Sequence, residues 1–205
     1  MIRIIGGEHR RRQLKVLDRP GLRPTPDRVR ETLFNWLAAH IQGAHVLDLF
    51  AGSGILGLEA LSRGAAHCDF VERDPAAASL IQHNIELLRL NAQATLKRQD
   101  ALNLLRHPPV QPYDLVFLDP PYASDLLAKV LPLLNQPAWL KPDSLIFVEK
   151  SVRHAPPTCL TNGELAWEKL RDGQAGEVSY SLFCRASLTH DDQDRHPPCH
   201  LSGNL

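Results

Sequence analysis

Net charge is what this chain lacks first: its 23 Lys and Arg balance 23 Asp and Glu over 205 residues. A neutral chain has no global attraction to polyanions. Cysteine is scarce too, and Cys68, Cys159, Cys184 and Cys199 show no CxxC spacing and no disulfide framework. Cys68 and Cys184 lie in apolar runs, as buried thiols do. No apolar stretch approaches the length that spans a bilayer, and the N-terminus has no secretory h-region. His196-Pro197-Pro198-Cys199-His200 lacks ligand-pair spacing, so no metal is expected. These absences describe a soluble, cytoplasmic protein with no membrane partner.

What is present is uneven. Residues 1–30 hold nine basic side chains (Arg3, Arg10, Arg11, Arg12, Lys15, Arg19, Arg23, Arg28, Arg30) against three acids (Glu8, Asp18, Asp27). Such a local patch suits docking to a polyanion. Ile2, Ile4 and Ile5, then Gly6-Gly7, then Leu14 and Val16 predict two short strands with Arg10–Arg12 on an exposed hairpin. Gly21-Leu22-Arg23-Pro24-Thr25-Pro26 cannot be helical. Thr25 is the expected N-cap and Pro26 the first residue of a helix ending near His40.

From His45 onward, strand and helix alternate. Strands are expected at 45–49, 67–72, 94–98, 114–118 and 145–149, and helices at 55–63, 75–90, 101–106 and 125–134. That order predicts right-handed βαβ units and a mostly parallel sheet. Residues 167–171 and 178–184, joined across 172–176, predict a closing antiparallel hairpin. The expected division is a basic extension over 1–25, one α/β domain over 26–186 and a disordered tail over 187–205.

Two stretches carry chemistry. The run Val46–Leu49 leads into Phe50-Ala51-Gly52-Ser53-Gly54-Ile55-Leu56-Gly57, a literal G-x-G-x-x-G, with Glu72 ending the next strand. Alone, this suggests a nicotinamide oxidoreductase. Asp48 argues otherwise, because a carboxylate before the turn repels a pyrophosphate at the helix N-terminus. The ammonium and sulfonium of S-adenosylmethionine reverse that sign. Glu72 then suits the ribose hydroxyls, and Asp100, after the third strand, suits the adenine amine. The second stretch is Asp119-Pro120-Pro121-Tyr122, after the apolar run Leu115–Leu118. Asp119 and the Pro120 carbonyl are two acceptors for one exocyclic amine, and Tyr122 offers a stacking face worth ~1–3 kcal/mol per base. The two stretches form one site if their strands are neighbours.

The order Asp-x-Phe-Ala-Gly-Ser-Gly, Glu72, Asp-Pro-Pro-Tyr resembles that of the class I amino-methyltransferases. Arg3-Ile4-Ile5-Gly6-Gly7, Gly21-Leu22-Arg23-Pro24-Thr25, the run Asp27–Leu37 and Leu58-Glu59-Ala60-Leu61-Ser62-Arg63 resemble the RsmD-type 16S rRNA guanine-N2 methyltransferases. The likeness runs from about Arg3 to Cys184. It implies a Rossmann-like class I methyltransferase fold, S-adenosylmethionine as cofactor, and 16S rRNA, in the small ribosomal subunit or an assembly intermediate, as the partner of a monomer. Cofactor contacts would then fall on Asp48, Phe50, Ala51, Gly52, Ser53, Gly54, Glu72, Arg73, Asp100 and Ala101. The catalytic group would be Asp119, Pro120, Pro121 and Tyr122, with RNA held by Arg10, Arg11, Arg12, Arg23, Thr25 and Arg28. Arg11 stands where the family often has Gly, and Tyr122 where some members have Phe. The alternatives are an amino-methyltransferase for adenine N6 or cytosine N4, a nicotinamide oxidoreductase, and a non-catalytic RNA-binding protein.

Overall fold

A computed structural model of the 205-residue chain describes residues 1–17, 25–121, 125–152, 159–162 and 165–185. A two-stranded antiparallel sheet, β1 (Ile2–Arg3) with β2 (Gln13–Leu14), precedes helix α1 (Asp27–Trp36). Then follow β3 (His45–Asp48), α2 (Ile55–Ser62), β4 (His67–Val71), α3 (Pro75–Leu87), β5 (Ala94–Lys97), α4 (Ala101–Leu104), β6 (Tyr113–Leu118) and α5 (Leu126–Leu134). Four further strands are β7 (Leu140–Ser151), β8 (Cys159–Asn162), β9 (Leu165–Ala175) and β10 (Val178–Arg185). The main sheet has the order β5-β4-β3-β6-β7-β10-β9-β8. Its first five strands are parallel and its last three antiparallel.

The central strands β3, β6 and β7 are covered on both faces, and they carry near-continuous apolar runs there. Val46, Phe70, Leu115, Phe117 and Phe147 point to the side packed by α1, α2 and α3. Leu47, Val71, Val116, Leu118 and Val148 point to the other side, with α4, α5, Trp139 and Trp167. Ile4 and Leu14 of the N-terminal hairpin belong to the first of these cores. Every residue of α2 is buried, because the sheet lies on one side of it and the hairpin on the other. Asp74 caps α3 by accepting from the Ala76 and Ala77 amides, and Pro75 follows at the first helical position.

Several boundaries differ from expectation. Helix α1 stops at Trp36 rather than near His40, since the exposed Ala38–His40 offer no face to bury. Pro26, not Thr25, occupies its cap, and no side chain caps it. Strand β7 begins at Leu140, through an irregular register that passes Pro142. The closing hairpin is longer and its turn tighter: Val178 pairs with Ala175, so pairing continues past the core across exposed Asp172 and Gln174. Strand β8, four residues long, is too short to show a period in sequence. The tail expected over 187–205 lies outside the described residues.

Gly57 sets the distance between α2 and the sheet. A Cβ there would stand 2.3 Å from the Phe70 ring and 2.7 Å from the Cys68 sulfur. Gly57→Ala must push the helix away or distort β4, and urea denaturation should show a loss of about 1–3 kcal/mol.

Candidate active site

The chain leaves β3 outward to β4 and β5, then returns to place β6 on the other flank of β3. That reversal is the switch point of an open α/β sheet, where ligands bind beyond the strand ends. The two chemical stretches of the sequence therefore do meet. Asp48 at the end of β3 is in register with Phe117, two residues before Asp119. Between them the chain is tied to both neighbours: the Leu49 amide donates to the Phe117 carbonyl at 3.2 Å and the Ala51 amide to the Val71 carbonyl at 2.9 Å. Gly52 and Gly54 then take left-handed φ values of 52° and 74°, turning the chain sharply into α2.

The acids have distinct surroundings. Asp48 is buried and accepts from the Gly57 amide at 3.1 Å. Burial pushes its carboxyl up to about 7, the Gly57 hydrogen bond opposes this, and the Glu72 charge adds to it. Glu72 uses both oxygens on backbone, accepting from Gly52 at 2.8 Å and from Asp74 at 2.7 Å. It thus fixes the glycine turn against the end of β4. Asp100 caps α4 through the Leu102 amide at 2.9 Å, beside buried Ala101, and its other oxygen lies 3.8 Å from the exposed Arg73 guanidinium. Phe50 and Ser53 are half-buried and Ala51 is buried. Asp48, Glu72 and Asp100 thus stand at the ends of three successive parallel strands, β3, β4 and β5.

On the other flank, Asp119 is half-buried, Pro120 is buried and Pro121 is exposed. Tyr122 lies outside the described residues. Burial, then the charges of Glu149 and Asp48, holds the Asp119 carboxyl well above the usual carboxylate range. A carboxyl so placed binds groups that donate hydrogens, and holds a proton tightly in their absence.

The basic extension is built onto this frame. Arg10, Arg11, Arg12 and Arg28 are exposed, as a phosphate-contacting surface requires, and Arg23 lies outside the described residues. Thr25 is buried, and its carbonyl accepts from Arg30 Nε at 3.3 Å, which withdraws it from that surface. Arg11 adopts a left-handed φ of 71°, with its amide on the Ile4 carbonyl at 2.9 Å. Sequence reasoning missed what anchors the hairpin. Glu59, in the middle of α2 and fully buried, accepts from the Ile5 and Gly6 amides at 2.9 and 2.7 Å, and from Arg30 and Arg63 at 3.1 and 2.8 Å. Arg30, also fully buried, reaches the Arg3 carbonyl at 3.0 Å and Asp27 at 2.6 Å. The signal was an acid amid Leu58, Ala60 and Leu61, with nothing in the sequence to name its partners. A separate cavity of about 520 Å³, lined by Gly7, Gln42, Ser62, Arg63 and Gln93, opens where the parallel strands begin, away from these acids. No group of three or more His, Cys, Asp or Glu able to hold a metal occurs among the described residues, and no described helix is long and apolar enough to cross a membrane.

Known proteins resemble this chain in sequence and fold. The family described as conserved hypothetical protein 95 matches residues 2–184. Over 193 residues the chain is 45% identical to the ribosomal RNA small subunit methyltransferase D of Escherichia coli (strain K12), covering 94% of each protein. The protein of the same name from Haemophilus influenzae is 44% identical over 184 residues, covering 89% of this chain and 93% of its own. The solved structure of Escherichia coli yhhF superposes with a TM-score of 0.79 at 44% identity, covering 90% of this chain and 97% of that one.

Asp48 gives the site a measurable signature. Its carboxyl titrates near 7 when folded and near 3.8 when unfolded, so the folded protein holds the extra proton. Stability from this group is present below the unfolded value and is lost as pH rises through the folded one. In thermal denaturation without ligand, Asp48→Asn should raise Tm, by a margin that grows from pH 4 to pH 7 and then levels off. An equal margin at every pH would show that Asp48 is not the titrating group.

Proposed function

The chain belongs to the family of the ribosomal RNA small subunit methyltransferases D, and on that premise we propose that it transfers a methyl group from S-adenosylmethionine to the exocyclic N2 amine of one guanine in small-subunit ribosomal RNA. The observation that carries this reading is the placement of Asp48 and the Asp119 turn at the ends of adjacent strands, β3 and β6. One acid suits a cation and the other suits an amine.

The cofactor supplies an electrophilic methyl group on a sulfonium. The Asp48 carboxylate attracts the cationic methionine portion, and the glycine turn leaves backbone room beside it. Glu72, already fixed by two backbone amides, has lone pairs left for the ribose hydroxyls. The Asp100 oxygen not used in the cap suits the adenine amine. Asp119 and the Pro120 carbonyl accept the two hydrogens of the guanine amine. That draws the nitrogen lone pair out of conjugation and directs it at the methyl group, a gain from positioning and electrostatics. With its proton affinity raised, Asp119 is also suited to take the proton the nitrogen sheds. Arg10, Arg11, Arg12 and Arg28 contact phosphates, which positions the RNA without reading its sequence.

Methyl transfer to unmodified small subunits, followed by nucleoside analysis, tests the reading. N2-methylguanosine is expected; N6-methyladenosine or N4-methylcytidine would replace the guanine assignment. Asp119→Asn should lower turnover by about 10²–10³-fold, as loss of a transition-state contact does, with little change in cofactor affinity. Because the deprotonated acid is the stronger acceptor and the form able to take the proton of the amine, the wild-type rate should fall on acidification at a pH well above the usual carboxylate range. A rate flat down to pH 5 would remove Asp119 from that role.

Arg11 allows a second test. A left-handed conformation costs a non-glycine residue about 1–2 kcal/mol, so Arg11→Gly should stabilise the protein by up to about 1 kcal/mol after glycine's own entropy cost. The same change should weaken RNA binding and flatten its salt dependence. Unchanged RNA affinity would make the arginine incidental.

A further inference from the structure

Beside Asp119 stands a second buried acid that the reading above leaves without a role. Glu149, near the end of β7, is 1% exposed. Strands β6 and β7 are parallel with Leu118 opposite Val148, so the residues that follow, Asp119 and Glu149, emerge side by side. Alternation directs both to the face that holds Phe117 and Phe147, the face to which Asp48 also belongs. The rise in Asp119 proton affinity draws on the Glu149 charge before that of Asp48, in keeping with this proximity.

Activating an exocyclic amine needs only the two acceptors of the Asp119 turn. A third acceptor next to them bears on the ring atom beside that amine, and here the nucleobases differ. On its Watson–Crick side the guanine N2 amine adjoins N1–H, a donor. In adenine the N6 amine adjoins N1, and in cytosine the N4 amine adjoins N3, and both of these are bare lone pairs. A carboxylate at that point attracts the guanine edge and repels the other two. Burial strengthens both effects, because water does not compete and the local dielectric is low.

We propose that Glu149 is the specificity-determining residue of the site, accepting N1–H of the target guanine while Asp119 and Pro120 accept its N2 amine. This rests on the guanine reading above. It explains how a clamp suited to any planar amine would choose one base, and why the strand next to the clamp carries a buried acid near its end. Hydrogen bonds to charged groups contribute about 1.5–3 kcal/mol, so the choice should be worth about tenfold or more in kcat/KM.

The test substitutes 2-aminopurine for the methylated guanine, at the position mapped by mass spectrometry of nuclease fragments, in RNA assembled into small subunits. This base keeps the exocyclic amine and replaces N1–H with a lone pair. Its missing O6 affects every enzyme variant alike and cancels in comparisons between them. Wild type should prefer guanine by at least about tenfold. Glu149→Gln should slow guanine methylation and bring the preference to within about twofold, because its amide donates to the bare nitrogen; cofactor affinity by calorimetry should not move. If that variant does not fold, Glu149→Asp reads the same ratio, which should fall as the carboxylate is drawn back. A wild type indifferent to the two bases, or a folded variant with the full preference, would overturn the proposal. Absence of N2-methylguanosine from the wild-type guanine arm would instead overturn the reading on which it rests.

Discussion

The buried carboxylate of Glu59 is the contact on which the arrangement of this protein depends. It gathers two backbone amides of the N-terminal hairpin, the Arg30 guanidinium of α1 and the Arg63 guanidinium at the end of α2. Four donors on one acid satisfy its lone pairs, which is the condition for keeping a charge away from water. With Arg30 also bonded to Arg3, Thr25 and Asp27, the hairpin, the following loop and both helices form one hydrogen-bonded unit. Because Gly54 is the N-cap of α2, the basic surface and the glycine turn are mounted on the same eight-residue helix. The geometry between them is therefore held by short polar contacts in a dry environment rather than by a linker.

The acids of the site carry the opposite electrostatic character. In low dielectric the charges of Glu149 and Asp48 raise the cost of charging Asp119, and that of Glu72 raises the cost of charging Asp48. An empty site of this kind works against the stability of the protein. Cations and N–H donors relieve the strain, so what destabilises the fold is what gives the site its appetite for ligand. The Glu59 cluster balances its charges internally, whereas the acids of the site leave theirs to be completed.

Much of this was legible in sequence because it rests on local patterning. The alternation of apolar runs with helical periods gave the order of strands and helices, and the run of β6 into Asp119-Pro120-Pro121 marked a strand end with a rigid turn. The adjacency of β3 and β6 stood in the sequence as the condition for a single site, and it is met. What could not be read depends on contacts distant in sequence. Arg30 looks like one more member of a basic arm, yet it is fully buried, 29 residues from its partner Glu59. Thr25 has the composition of a helix cap and is instead packed inside, its carbonyl held by Arg30. Glu72 and Asp100 have the sequence pattern of ligand contacts, and the structure shows both holding backbone amides in place. A structural duty of that kind is one that periodicity does not register. Strand β9 runs on through Asp172 and Gln174 for a similar reason, since pairing with β10 continues where burial has ended.

The order of the main sheet bears on how the chain is made. The last of the described strands, β10, does not add to an edge; it lies between β7 and β9, antiparallel to both. Until it arrives, β7 presents an open row of backbone donors and acceptors from Leu145 to Ser151, an unprotected edge of the kind that invites pairing with other chains. During synthesis the parallel half of the sheet, with the glycine turn and the Asp119 turn, is complete well before that edge is covered. The nascent protein therefore has its site nearly assembled while one flank of the sheet is still adhesive, and cellular protection in that interval matters more for this topology than for one finished by an outer strand.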